Sequence, residues 1–169
     1  MNVRQAKIED AAGIARVHVD SWRSTYKGVV PDDFLASLSY SAREQLWQRL
    51  IPTGGVFVAE QNGEIIGFAS AGKERSEDYL HFGGEVSAIY LLERVQKLGV
   101  GKKLMQAATR YLVQQGFKSM LVIVLKDNDA VDFYKALGAQ QVDELHIEIG
   151  GKPLDELVLG WRSIEEIRW

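Results

Sequence analysis

Gln96-Lys97-Leu98-Gly99-Val100-Gly101 sits between an apolar run and an amphipathic one. Upstream, Glu85-Val86-Ser87-Ala88-Ile89-Tyr90-Leu91-Leu92 reads as a strand. Downstream, Val100, Leu104, Ala107, Ala108, Tyr111 and Leu112 return at helical spacing. A Gly-containing loop that leads from a strand into a helix points backbone N–H groups outward at the positive end of the helix dipole. Glycines there let the backbone approach an anion with no Cβ in the way. The stretch therefore predicts a cradle for a phosphate-bearing small molecule.

Two common phosphate loops fail on spacing. A nucleoside-triphosphate loop needs Gly, four intervening residues and then Gly-Lys-Ser/Thr, and here the first Gly and the hydroxyl positions hold Gln96 and Lys103. A dinucleotide fingerprint needs a third Gly where this chain has Leu104. The pattern Gln/Arg-x-x-Gly-x-Gly/Ala is left. After the helix come an apolar strand-length run, Met120-Leu121-Val122-Ile123-Val124-Leu125, and then Lys126-Asp127-Asn128-Asp129-Ala130-Val131-Asp132-Phe133-Tyr134-Lys135-Ala136-Leu137-Gly138-Ala139. Asn128 or Asp129 can cap a short helix that ends at Gly138. In order and spacing, the two signatures resemble the GNAT superfamily of acyl-CoA-dependent N-acyltransferases, and the likeness spans nearly the whole chain.

The resemblance implies a fold and a set of roles. The fold is an α/β (α+β) GNAT fold, a mixed central sheet of about seven strands flanked by helices, with strands splayed at the CoA site. Residues 1–169 would form one domain. Backbone groups of Ile89, Tyr90 and Leu91 would pair with the pantetheine arm, and the N–H of Ile89 or Leu91 would polarise the thioester. The loop and first helical turn, Gln96, Lys97, Leu98, Gly99, Val100, Gly101 and Lys102, would bind the pyrophosphate. Asn128 would bond the pantetheine arm, and Tyr134 would protonate the leaving thiolate. Glu85, at the start of the strand, matches the place where some relatives carry a general base; buried among apolar neighbours, it would be poised to accept a proton. Its alternatives are a solvent-facing strand-edge carboxylate and an anchor for a cationic acceptor, with a water chain as base. Trp22 and Tyr26 fall where relatives shape the acceptor pocket, and aromatic faces hold ammonium groups; a plain hydrophobic staple is the other reading.

The implied activity is N-acetyl transfer from acetyl-CoA directly to a primary amine, either a small molecule or a peptide N-terminus or lysine. A non-catalytic acyl-CoA-binding module and a generic phosphate-ligand domain are the alternatives. The chain has no cysteine, which excludes a thiolate nucleophile, disulfides and zinc–thiolate sites. No His/Asp/Glu spacing suggests a metal. The net charge of −3 gives no sign of nucleic-acid binding. Met1 to Asp10 carry no apolar signal core and no run reaches membrane-spanning length, so a cytoplasmic protein away from membranes is expected. The apolar C-terminal hairpin and Trp169 are candidates for a homodimer contact.

The remaining elements follow from periodicity. A strand is expected over Asn2–Ala6 and a helix from about Glu9 to Ser21, with Trp22 to Pro31 as a loop. Short helices are expected over Asp32–Leu38 and Ser41–Leu50, the latter with Ser41 and Glu44 as a capping box. Asn62-Gly63 should turn a hairpin between Gly55–Glu60 and Glu64–Ala71. Lys73 to Tyr79 reads as charged surface. Gly150-Gly151 should turn a last hairpin of Gln141–Ile149 and Leu154–Trp161.

Overall fold

A computed structural model describes all of residues 1–169. Seven strands, β1 (Asn2–Gln5), β2 (Val56–Gln61), β3 (Glu64–Lys73), β4 (Gly84–Leu91), β5 (Met120–Leu125), β6 (Gln140–Ile149) and β7 (Lys152–Trp161), form one sheet in the order β1-β2-β3-β4-β5-β7-β6. Every neighbouring pair is antiparallel except β4 and β5. The helices are α1 (Ala11–Thr25), α2 (Asp32–Ser37), α3 (Tyr40–Leu50), α4 (Val100–Gln114) and α5 (Ala130–Ala136). No helix is long and apolar enough to cross a membrane.

The helices cover both faces of the sheet. The apolar stripe of α4, Val100, Leu104, Met105, Ala108 and Leu112, is buried against β2, β3 and β4. Gly67 of β3 leaves room for Leu104; a Cβ there would come within 3.2 Å of its side chain. On the other face α1 and α3 pack together, and His18 and Trp47 meet Phe68 of β3. The apolar run of β5 is buried on both sides, as a central strand requires.

Three local expectations change. α1 runs through Thr25, so Trp22 lies on the helix and not in a loop. No Gly or Pro interrupts residues 22–25; the stop comes at Tyr26 and at Gly28, whose φ of +81° suits glycine. α3 is capped by Ser39, whose Oγ accepts the Ala42 N–H at 3.1 Å, and not by Ser41, which is already helical. The charged segment after β3 is folded inward at Glu74, which is buried and accepts N–H bonds from Ser76 and Glu77.

Two irregularities position the site. Between β3 and β4 the register steps from Ala71↔Val86 to Ser70↔Ala88, leaving Ser87 as a bulge. Beyond it, Ala88 and Tyr90 pair with Ser70 and Phe68, so they share a face with Glu85, which pairs with Gly72. Between β4 and β5 only Gly84↔Met120 and Glu85↔Leu121 are in register. Past that point the two strands part.

Candidate active site

The loop into α4 takes the backbone geometry its glycines predict. Gly99 caps α4 in the left-handed conformation (φ +81°), and no side chain caps the helix. The helical ladder starts with Lys103 N–H to Gly99 O at 3.2 Å, and Gln96 N–H is used by Glu93 O. The six amides from Lys97 to Lys102 donate to no backbone acceptor. They form a continuous set of free donors at the positive end of a four-turn helix. Lys97 also adopts a left-handed φ of +61°, which costs a non-glycine residue about 1 kcal/mol. Such a twist turns successive N–H groups toward one point.

The cradle opens into a cleft of about 540 Å³ between the parted ends of β4 and β5. Ile89, Tyr90 and Leu91 line it from β4. Gln96, Lys97, Gly99, Gly101 and Lys102 line it from the loop and first turn of α4. Leu98 projects into solvent and the Val100 side chain into the core, so these two bring only backbone to the cradle. β4 is paired with β3 on one side and β5 with β7 on the other, and their facing edges past Glu85 and Leu121 carry no strand partner. Free strand edges accept an extended ligand through main-chain hydrogen bonds.

The far wall is α5 and the turn before it. Asn128 Oδ1 accepts the Ala130 N–H at 2.8 Å and so starts α5. Its Nδ2 donates to the Tyr26 hydroxyl at 3.0 Å, leaving one amide hydrogen for the cleft. Tyr134 lines the same cleft with its ring packed between Phe133 and Trp161. Burial, with the Tyr90 and Tyr26 hydroxyls nearby, pushes the Tyr134 phenol upward. It therefore carries its proton throughout the physiological range.

Glu85 is placed differently from its expectation. It is 2% exposed, yet its surroundings are not apolar. Arg75 grips it with Nε to Oε2 at 2.9 Å and Nη2 to Oε1 at 3.0 Å, and the Arg75 N–H adds a bond to Oε2 at 3.2 Å. Both oxygens are engaged by a bidentate cation, and Glu85 does not line the cleft. Tyr26 and Trp22 also stand outside the cleft lining. Tyr26 is buried in a cluster with Val30, Leu35, Leu125 and Leu154. Trp22 packs edge-on against Tyr26 at 4.6 Å and lies 6.4 Å from the Tyr90 ring. Its Nε1 is buried and meets no acceptor at hydrogen-bonding geometry, although it is close enough to Tyr90 to favour that residue's anion.

Two polar residues of this region carry no sequence signal of their own. Arg75 lies ten residues before its partner in a segment that reads as plain charged surface. Glu156 of β7 lies beside Leu125 of β5, and strand alternation turns both toward Tyr26.

Residues 17–139 match the model of the acetyltransferase (GNAT) family. The chain is 43% identical over 169 residues to YuaI, an uncharacterized N-acetyltransferase of Bacillus subtilis (strain 168), covering 99% of this chain and 96% of that one. The PaiA N-acetyltransferase of Thermoplasma acidophilum, solved with coenzyme A, superimposes with a TM-score of 0.76 at 18% identity, over 94% of this chain and 96% of that one. YncA of Salmonella typhimurium, a putative acetyltransferase solved with acetyl-CoA, gives 0.73 at 22% identity, over 100% and 96%. With a family match over most of its length and a close relative end to end, the chain belongs to the acetyltransferase (GNAT) family and is an N-acetyltransferase of that type.

Proposed function

We propose that the protein moves an acetyl group from acetyl-CoA directly to a primary amine. The observation that carries this reading is the run of six free amides, Lys97 to Lys102, opening onto two unpaired strand edges. A pyrophosphate fits the first and an extended amide chain the second. When bound, acetyl-CoA supplies an activated acyl group as a thioester. The main chain of Ile89 to Leu91 and the spare Asn128 amide hydrogen hold and orient it. Tyr134 keeps a proton available beside the parted strands, suited to a departing thiolate. No cysteine is present to take up an acyl group and neither signature carries a serine–histidine pair, which favours the amine itself as the nucleophile.

Glu85 is assigned the support of Arg75, because its oxygens are already bonded. The test has two arms on the purified protein. Calorimetry should show acetyl-CoA binding with one site per chain, and a thiol-release assay over a panel of primary amines should show turnover with at least one. Absence of acetyl-CoA binding by a folded protein would overturn the cradle assignment.

A further inference from the structure

Ser21, Ser24 and Thr25 of α1 line the cleft, so it opens on the face opposite α4, the face that carries Glu85, Ala88 and Tyr90 of β4. The strand registers extend that face across the sheet. Glu85 pairs with Leu121, so Leu121, Ile123 and Leu125 of β5 share it. Leu125 pairs with Glu156 of β7, and Glu156 with Leu145 of β6. Glu156 therefore stands among Leu125, Leu145 and Leu154, below the aromatic roof of Trp22, Tyr26 and Phe34. It is half-buried and takes part in no hydrogen bond or ion pair. The carboxylates next to it differ. Asp155 and Glu144 point to the opposite face, where His146 and Lys126 hold them. Glu85 on the same face is closed by Arg75.

We propose that Glu156 receives the ammonium group of the acceptor and takes its proton, which makes a primary amine on an apolar or aromatic body the preferred substrate class. The step is a proton exchange: R–NH₃⁺ and the Glu156 carboxylate give R–NH₂ and the Glu156 carboxylic acid, and water then removes the proton. Leu145, Trp22 and Phe34, which keep part of their surface free, cover the body of the acceptor. Burial raises the Glu156 carboxyl above its ordinary range, and the Arg75 guanidinium draws it part of the way back. Of the other titratable groups facing it, Tyr26 and Tyr90 are both held protonated by burial. Among the carboxylates that β4, β5 and β7 place on this face, Glu156 is the one without a partner, and it stands beside the cleft and not in its lining.

This inference rests on the acetyl-transfer reading for its purpose, but its first test does not use acetyl-CoA. Phenethylammonium chloride is titrated into the wild-type protein and into Glu156→Gln, which keeps size and polarity, with binding followed by NMR shifts. Glu156→Gln should weaken binding by about 10-fold, close to 1.4 kcal/mol. Equal affinity, or no binding by the wild type, overturns the proposal. In the second test thiol release is compared for phenethylamine and for an amine already neutral at pH 7. Glu156→Gln should cut kcat/KM about 10²-fold for the first and only a few-fold for the second. Equal losses for both amines would reduce Glu156 to a structural residue. Acetyl-CoA affinity of the variant, measured alongside, should be unchanged; loss of that binding in the wild type would instead strike the proposed function.

Discussion

Tyr134→Phe removes one hydroxyl and keeps the ring that packs between Phe133 and Trp161. If that hydroxyl protonates the thiolate, kcat should fall about 10²-fold with little change in acetyl-CoA affinity. Steady-state kinetics at saturating amine, together with calorimetry, checks both halves. His18 offers a prediction about stability. Its Nδ1 accepts the Trp47 Nε1–H at 3.1 Å, and its ring stacks on Tyr90 at 5.3 Å. Burial, helped by the nearby Arg43 charge, lowers its pKa from 6.5 to about 4. As pH falls through 6.5 the unfolded chain gains a proton that the folded one refuses until about 4. Stability is therefore full above 6.5 and declines between 6.5 and 4, by about 3 kcal/mol in all. Urea unfolding at pH 7 and pH 5 should show the decline, and His18→Gln should flatten it. At this scale the sequence was partly legible. The motif singles out Tyr134, and the structure puts that residue in the cleft lining. The partner of Glu85 was hidden, because Arg75 reaches it only through the turn of the loop between β3 and β4.

The N-terminal turn of α4 makes the sharpest prediction among the elements. A Cβ on Gly101 would sit 3.5 Å from Leu91 and 3.8 Å from Phe133, which is ordinary contact. Gly101→Ala should therefore fold and bind nearly normally. Gly101→Asp should also fold, while placing a carboxylate beside donors that await an anion. Its acetyl-CoA affinity should fall about 10²-fold or more by calorimetry, with the melting temperature nearly unchanged. Gly99→Ala differs, since its φ of +81° penalises any side chain; it should lose about 1 kcal/mol of stability as well as affinity. These elements were readable because their signals are local: glycine at a positive φ, an apolar stripe at helical spacing, Asn-Gly at a hairpin. α1 was read a turn short because the helix outlasts its clearest apolar periodicity. The bulge at Ser87 has no local mark at all. It is a matter of register between two strands, and it decides which side chains share the acceptor face.

At the scale of the whole molecule, two blocks of sheet, β1 to β4 and β5 to β7, share just two residue pairs. A ligand bridging the parted edges should stabilise the entire fold. At a concentration 100 times its Kd, acetyl-CoA adds about 2.7 kcal/mol. In a chain of this size that is a rise of about 5–10 °C in Tm, measurable by scanning calorimetry, and Gly101→Asp should abolish it. The seam between β4 and β5 has a kinetic corollary as well. Because the opening is built into the pairing of the sheet, spent coenzyme can depart without a chain segment swinging aside. On the proposed binding mode, what would retain it is the electrostatic hold of one helix end and of Lys97 and Lys102, which line the cleft. Where departure limits the cycle, added salt should quicken turnover.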